Sequence, residues 1–330
     1  MDISIIIVNY RGWKALKECL ESINSIIPKT LSFETIIVDN FSNDDQFTVF
    51  KQKYSKFTFI QNSGNNGFSN GCNLGASIAQ GNHFLFLNPD TKITLKALEA
   101  LQQTAISHPD IGILSCLQIN ENNVFYNQNS LFPALGRFFG ISRSIFKKLN
   151  KENLEKRFKN NNILFYPDWV TGAVIFISRE WFDKINGWNE DYWLYFEDVD
   201  LCKKISLAKG KIAVTRETTI FHQHGGASRL NIKTKALTKT EVIISKHVYI
   251  SNQFNTITKI YLHSLLILGV FSEKIFLSVL SFFLFFIPKL KVNRLMLKNL
   301  TIYYFNAILN QTWISPRAMN YKKKLKYLKN

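Results

Sequence analysis

FETIIVDN (residues 33–40), HFLFLNPD (83–90) and YWLYFEDVD (192–200) are apolar runs that end in or carry acids: Asp39, Asp90, and the group Glu197, Asp198 and Asp200. The first two read as fully buried strands, short, rich in Ile, Val, Leu and Phe, and bounded by turn residues. In open α/β sheets, ligands bind beyond the carboxyl ends of the strands. An acid placed there costs little to solvate and can face a substrate. Several such acids point to a polar, metal-assisted site over one sheet edge.

Around these runs the chain alternates. SIIIVNY (4–10) and IGILSCLQI (111–119) read as strands, and FTFIQN (57–62) as a short extended piece. WKALKECLESI (13–23) and NGCNLGASIAQ (70–80) read as helices. ITLKALEALQQTAISH (93–108) reads as an amphipathic helix with Leu95, Leu98, Leu101 and Ala105 along one face. This order predicts an α/β fold with a mostly parallel sheet flanked by helices. Residues 120–165 break the pattern and read as an insertion or mobile loop over the site. Order returns at DWVTGAVIFISREWFDKINGW (168–188) and runs through FHQHGGAS (221–228).

The 330 residues, 46% of them hydrophobic, are enough for one large domain with an appendage. Cys19, Cys72, Cys116 and Cys202 form no CxxC pair, which argues against a disulfide framework or zinc site and fits a reducing compartment. MDISIIIVNY, with an acid at position 2, does not read as a signal peptide. The net charge of +17 is unevenly placed: residues 1–228 carry +2 and residues 229–330 carry +15. We therefore expect domains at 1–228 and 229–330, the second a basic, apolar helical tail. A cationic tail seeks an anionic surface, lipid or nucleic acid. Its runs YLHSLLILGVF (261–271) and IFLSVLSFFLFFIP (275–288), parted by Ser272, Glu273 and Lys274, are each too short to span a bilayer. They read as interfacial helices, with a hairpin packed on the protein's own core as the alternative. NYKKKLKYLKN (320–330) fits an anionic-lipid contact.

Four segments carry candidate chemistry. Asn88-Pro89-Asp90 places a carboxylate two residues after an amide oxygen, a pair able to hold a hard divalent cation; equally, Asp90 could cap a helix starting near Thr94. Glu197, Asp198 and Asp200 lie among Trp188, Tyr192, Trp193, Tyr195 and Phe196, a setting that suits sugar rings and proton abstraction from a hydroxyl. The same acids would also stabilise a helix N-terminus. His222-Gln223-His224-Gly225-Gly226 could ligate a metal or meet a phosphate, or be a plain surface turn. The Gly/Asn-rich stretch 62–73 could cradle a nucleotide through backbone amides. It is neither an ATPase P-loop nor a GxGxxG turn.

The series VNY (8–10), VDN (38–40), NSGNNGF (62–68), LNPD (87–90), TGA (171–173), WNED (188–191), YFEDVDLC (195–202) and HQHGGAS (222–228) resembles the family 2 glycosyltransferases of the GT-A nucleotide-diphospho-sugar transferase fold. It looks most like their bacterial rhamnosyltransferase branch, over residues 3–228. The resemblance implies that Val8, Asn9 and Tyr10 line the nucleotide pocket and that Asp39 binds the base. Asn65, Gly67 and Asn73 would lie beside the nucleotide. Asp90 would be the metal-binding acid, with Asn88 in place of that motif's first acid, and His224 would complete the metal site. The cofactor would be Mg²⁺ or Mn²⁺. Asp198 would be the general base, supported by Glu197, and Gly172 would shape the sugar site. NEDYWLYFED (189–198) departs from the family's commoner FDExFFxYxED.

The expected activity is an inverting hexosyl transfer, of rhamnose or another hexose, in bacterial surface polysaccharide synthesis. The donor would be a dTDP- or UDP-linked sugar and the acceptor a saccharide hydroxyl on a polyprenyl diphosphate. The enzyme would be peripheral, on an anionic membrane surface at the cytoplasmic face of the inner membrane. The alternatives are a catalytically inactive, membrane-attached scaffold on the same fold, and a nucleic-acid-binding protein. The second is disfavoured because the charge sits in an apolar tail and no nucleic-acid module is present.

Overall fold

The computed structural model describes residues 1–27, 31–128, 130–158, 162–223, 231–284 and 286–327, with side chains to residue 324. His224, Gly225 and Gly226 lie outside the described residues. The chain forms two compact units: Met1–Asn65 with Gly71–Trp188 and Asp198–Gly226, and Asn66–Asn70 with Asn189–Glu197 and Ala227–Asn330.

The first unit holds a sheet. Its elements in chain order are β1 (Ile3–Asn9), α1 (Trp13–Asn24), β2 (Phe33–Asp39), α2 (Gln46–Lys53), β3 (Thr58–Gln61), α3 (Phe68–Ile78), β4 (His83–Leu87), β5 (Thr91–Lys92), α4 (Leu95–Ser107) and β6 (Ile111–Ile119). A single 3₁₀ turn (Leu135–Arg137), α5 (Gly140–Leu149), α6 (Lys151–Phe158), β7 (Leu164–Phe165), β8 (Val174–Ser178), α7 (Arg179–Lys184), α8 (Glu197–Leu207) and β9 (Lys211–His222) follow. The strand order is β3-β2-β1-β4-β8-β6-β9-β5, with β7 also on β9. β3, β2, β1 and β4 are mutually parallel. β8 runs antiparallel between β4 and β6, while β6 and β9 are parallel again. The expected mostly parallel sheet is thus parallel in its first half and mixed beyond β4.

Every residue of β1 is buried, as its near-continuous apolar run requires of a central parallel strand. α3 lies close against it. A Cβ at Gly71 would stand 2.7 Å from Val8 Cγ1, and one at Gly75 2.5 Å from Ile6 Cγ2. Only glycine at both positions permits that approach. α4 turns Leu98 and Leu101 into the core, with Leu95 and Ala105 at its margin. Its N-cap is Thr94, whose Oγ1 accepts from Ala97 N–H at 3.3 Å. Asp90 therefore does not cap that helix. The stretch 120–165, expected as an insertion or mobile loop, holds α5, α6 and the edge strand β7.

The second unit contains α9 (Ile232–Gln253), α10 (Thr256–Phe283), α11 (Pro288–Leu309) and α12 (Met319–Tyr327). Asn231 and Asn255 cap α9 and α10, each accepting from the N–H three residues on. The first of the two short apolar runs expected here, and the second as far as Phe283, form one helix, α10. Its polar interruption does not break the helix: the exposed Ser272 bonds back to the Leu268 carbonyl, and the buried Lys274 places Nζ 2.6 Å from Oε1 of the exposed Glu273. Among the described residues α10 alone is long and apolar enough to cross a membrane, with a window of mean hydropathy 1.9 that is 22% buried. Its second half is inverted. Lys274, Ser278 and Ser281 are buried, while Ile275, Phe276, Val279, Phe282 and Phe283 are exposed.

α12 is tied to the loops of its own unit. Asn320 Nδ2 donates to Asp191 Oδ1 at 2.9 Å, Lys323 Nζ reaches Glu190 Oε2 at 3.1 Å, and Lys322 Nζ donates to Asn66 Oδ1 at 2.6 Å. Two lysines of the run expected to meet lipid thus have protein partners. Glu241, fully buried, is held by Arg317 Nη1 at 3.0 Å and by the Ser315 hydroxyl at 2.9 Å.

Candidate active site

β1, β2 and β4 end together. Pairing sets Asn9 opposite Asp39 and Ile7 opposite Leu87, so Asn9, Tyr10, Asp39 and Asn88 leave the sheet along one edge. From β1 the chain passes to β2 on one side, and β4 later pairs on the other. Such a switch point opens the crevice in which α/β sheets bind ligands.

Asp39 is fully buried. Ser42 donates its hydroxyl and, at 2.9 Å, its N–H to this carboxylate; the side-chain amides of Asn9 and Gln61 lie at 3.4 Å. Hydrogen-bond donors therefore surround this charge. Asn9 Oδ1 in turn accepts from Gly12 N–H at 3.1 Å, just ahead of α1. Tyr10 is exposed, with the Arg11 guanidinium 5.3 Å from its ring centre. Val8 lies beneath Gly71.

Asp90 follows the turn after β4. Thr91 pairs with His222 across β5 and β9, and this register brings His222 Nε2 to 3.4 Å from Asp90 Oδ1. His222 is buried, and its Nδ1–H donates to Gln118 Oε1 at 2.9 Å, which aims Nε2 at the carboxylate. Gln118 Nε2 donates to Thr171 Oγ1 at 3.4 Å. The N–H of the next residue, Gly172, donates to Asp198 Oδ2 at 3.1 Å. Asn88 N–H donates to the Ala173 carbonyl at 3.0 Å, so the segment 171–173 is knitted to the end of β4 as well. A run of contacts, the 3.4 Å approach of His222 to Asp90 followed by three hydrogen bonds, therefore links Asp90 to Asp198, although 108 positions separate them in sequence.

Asp198 opens α8 and also accepts from Val199 N–H at 2.8 Å. Burial raises its carboxyl to about 6, against the backbone N–H groups of Gly172 and Val199, which lower it. A carboxylate that ionises near neutral pH retains enough basicity to take a proton.

Not every expected residue joins this group. Asn73 is bound by both ends of its amide to the backbone of Trp188, at 2.9 and 3.0 Å, and so fastens α3 to that segment. Gly67 and Glu197 belong to the second unit, and Asn65 to the first. Gly67, at φ +100°, lies against the Trp193 backbone, where a Cβ would come within 2.6 Å of the carbonyl oxygen. Glu197 is buried and precedes Asp198 in the chain. The sequence assigns the metal role to His224, which lies outside the described residues, and does not point to Gln118 or Ser42. The pairing of β5 with β9 brings His222 to Asp90, and a pairing between strands so far apart leaves no local trace. A cavity of about 640 Å³ lies elsewhere, among Asn82, His83, Phe176, Arg179 and Trp181, and contains none of the candidate residues.

The family model described as glycosyl transferase family 2 matches residues 4–185, more than half of the chain, and one described as the N-terminal domain of galactosyltransferase matches residues 156–224. The chain is 26% identical to the low-salt glycan biosynthesis hexosyltransferase Agl10 of Haloferax volcanii, over 61% of this chain and 60% of that protein. It is 26% identical to the rhamnosyltransferase WbbL of Escherichia coli, over 62% and 76%. A Mycobacterium tuberculosis N-acetylglucosaminyl-diphospho-decaprenol L-rhamnosyltransferase is 22% identical, over 62% and 70%. Among solved structures, GalNAc-T7 with UDP, GalNAc and Mn²⁺ superposes with a TM-score of 0.53 at 16% identity, over 68% of this chain and 43% of that one. A Pyrobaculum calidifontis mannosyltransferase with GDP-Man and Mn²⁺ gives 0.53 at 12%, over 77% and 65%. These likenesses identify the GT-A fold. With a family model covering most of the sheet unit, the chain belongs to glycosyl transferase family 2.

Proposed function

We propose that the protein is an inverting hexosyltransferase that moves a sugar from a nucleoside diphosphate to a saccharide hydroxyl. The observation that carries this reading is the run of contacts from Asp90 through His222, Gln118 and Thr171–Gly172 to Asp198. It joins in one connected structure at the sheet edge the two carboxylates to which we assign the cation and the base. Asp198 takes the proton of the acceptor hydroxyl. The acceptor oxygen bonds to the anomeric carbon as the bond to the diphosphate oxygen breaks, and the nucleoside diphosphate leaves with that electron pair. No enzyme nucleophile is required.

Asp90 and His222 supply a carboxylate oxygen and an imidazole nitrogen, a donor set that fits Mn²⁺ and leaves room for diphosphate oxygens. Among the described residues no group of three or more His, Cys, Asp or Glu is placed to hold a metal. A divalent cation, when bound, supplies charge neutralisation on the leaving phosphates. Val8, Asn9, Tyr10, Asp39 and Asn65 are proposed to line the nucleotide side, and Glu197 to support the base. A dTDP- or UDP-linked donor is proposed on the family resemblance alone. The one named for a diphospho-decaprenol substrate favours a lipid-linked acceptor.

The domain division at 1–228 and 229–330 assigns the helical tail to membrane attachment. α10 would be about 42 Å long at ~1.5 Å per residue. Arg294 lies over Phe282, at 6.0 Å, so the start of α11 runs beside the end of α10. Lys289, Lys291, Arg294 and Lys298 are exposed there. Each charge forced to mid-bilayer would cost about 3 kcal/mol. The helices are therefore proposed to lie along the surface of an anionic leaflet, phenylalanines inserted and cations at the phosphates, on the cytoplasmic side.

Thermal stabilisation by nucleotide sugars, with and without Mn²⁺, tests the site, because a ligand of the native state raises its melting point. A cation-dependent shift for a dTDP- or UDP-sugar that disappears in Asp90→Ala is the expected result. Absence of stabilisation by any nucleotide sugar, together with no transfer, would leave the inactive-scaffold reading.

A further inference from the structure

α5 (Gly140–Leu149, GISRSIFKKL) has no buried residue, although its composition is strongly two-sided. Ile141, Ile145 and Leu149 recur every fourth residue, form one ridge on a helix, and are exposed by 80%, 54% and 79%. Its serines do not soften that face: Ser142 and Ser144 return their hydroxyls to the carbonyls of Phe139 and Gly140. The remaining apolar side chain, Phe146, is half-buried with the Arg137 guanidinium 5.0 Å from its ring centre. What the helix offers outward is therefore aliphatic or cationic, since Arg143, Lys147 and Lys148 are exposed as well. Residues 135–157 hold seven Lys or Arg against two Glu.

We propose that α5 is a membrane-contacting helix, a second lipid attachment carried by the sheet unit itself and separate from the helical tail. It would lie in the plane of an anionic leaflet with Ile141, Ile145 and Leu149 among the acyl chains and its cations at the phosphates. An uncovered apolar ridge beside clustered positive charge matches that interface. The ridge lacks the buried aromatic or arginine anchors on which protein partners usually depend. A bilayer needs no shape complementarity, so three aliphatic side chains on a short helix suffice for contact. The proposal draws nothing from α10 or α11, and goes beyond glycosyl transfer, which would survive its failure.

The test uses the full chain with Ile145→Cys, labelled with an environment-sensitive fluorophore. The native cysteines are all buried, which favours labelling at the new site. A second protein, Val279→Cys, reports on the tail. On addition of phosphatidylcholine vesicles containing about 30% phosphatidylglycerol, the label at 145 is expected to shift to the blue, and to stay unchanged with pure phosphatidylcholine. Ile141→Asp with Leu149→Asp is expected to weaken vesicle partitioning about tenfold with an unchanged melting point. A label at 279 that enters lipid while the one at 145 stays in water overturns the proposal and leaves the tail reading intact. Neither label responding overturns both. A shift at 145 that grows with protein concentration in the absence of vesicles would make the ridge a self-association face, and also overturns it.

Discussion

Asp198 is held by two backbone N–H groups and partly removed from water, and its carboxyl ionises at about 6 as a result. Rate should therefore rise with pH through about 6 and level above it, since only the ionised form takes a proton. Asp198→Asn should lower transfer by about 10²- to 10⁴-fold. The same change should stabilise the fold. The native pKa lies above the unfolded value near 3.8, so ionisation is disfavoured in the folded state. The resulting cost is absent at low pH, grows as pH rises through that interval, and is complete above about 6. Removing the charge should gain about 1 kcal/mol at neutral pH, allowing for partial solvent screening. A higher melting point with lost turnover would bear this out; a lower one would mean that Asp198 is a structural anchor. Residues at this scale were legible where a strand ended. Asp39 and Asp90 stand out because an apolar run stops at each. The closeness of His222 to Asp90 was not legible, because it follows from the pairing of Thr91 with His222 between distant strands. The family resemblance puts Asn73 beside the nucleotide; in the structure it lies within α3, and both ends of its amide close on the Trp188 backbone.

At the level of elements, α12 fastens residues 189–191 and 66, and residues 189–196 lead directly into the acids that open α8. Tyr195 and Phe196, just before those acids, sit at φ 71° and 67°. Non-glycine residues hold such a conformation only where their surroundings enforce it. Lys323→Glu with Asn320→Ala should speed amide exchange in segments 66–70 and 189–197, leave β1 and β4 protected, and depress turnover. Glu190→Lys added to Lys323→Glu should restore part of both. Unaltered exchange would show that α12 does not hold the loop. α9, α10 and α11 meet at His247, whose Nδ1 lies 2.7 Å from His263 Nδ1 and whose Nε2 lies 2.8 Å from the Tyr304 hydroxyl, with Trp313 stacked on its ring. Burial keeps its pKa well below 6.5. The unfolded chain takes up that proton near ~6.5, so the stability of this unit should be full above that pH and decline as pH falls below it. His247→Phe should flatten the decline. Sequence reading split α10 at Ser272-Glu273-Lys274 because three polar residues look like a break. The Glu273–Lys274 ion pair and the back-bonded Ser272 remove the need for one.

Over the whole chain, charge and apolarity are distributed together. Residues 229–330 carry +15, and the same stretch exposes Phe276, Phe282, Phe283, Phe286 and Phe305. Vesicle binding should weaken with salt, since screening shortens to about 3 Å at 1 M, but not vanish, because inserted aromatic area is indifferent to ions. Complete loss at high salt would reduce the attachment to electrostatics alone. The α/β class and the parallel half of the sheet followed from strand runs such as SIIIVNY and HFLFL. The antiparallel insertion of β8 between β4 and β6 did not, because nothing in VIFIS tells its direction. The inverted half of α10 has a practical corollary. A surface that keeps its serines inside and presents phenylalanine outside is matched to an oily solvent, so in plain buffer these rings will find one another. Purified without surfactant, the protein should sediment as a concentration-dependent mixture of assemblies, and a mild detergent above its micelle threshold should collapse that mixture to a single small species.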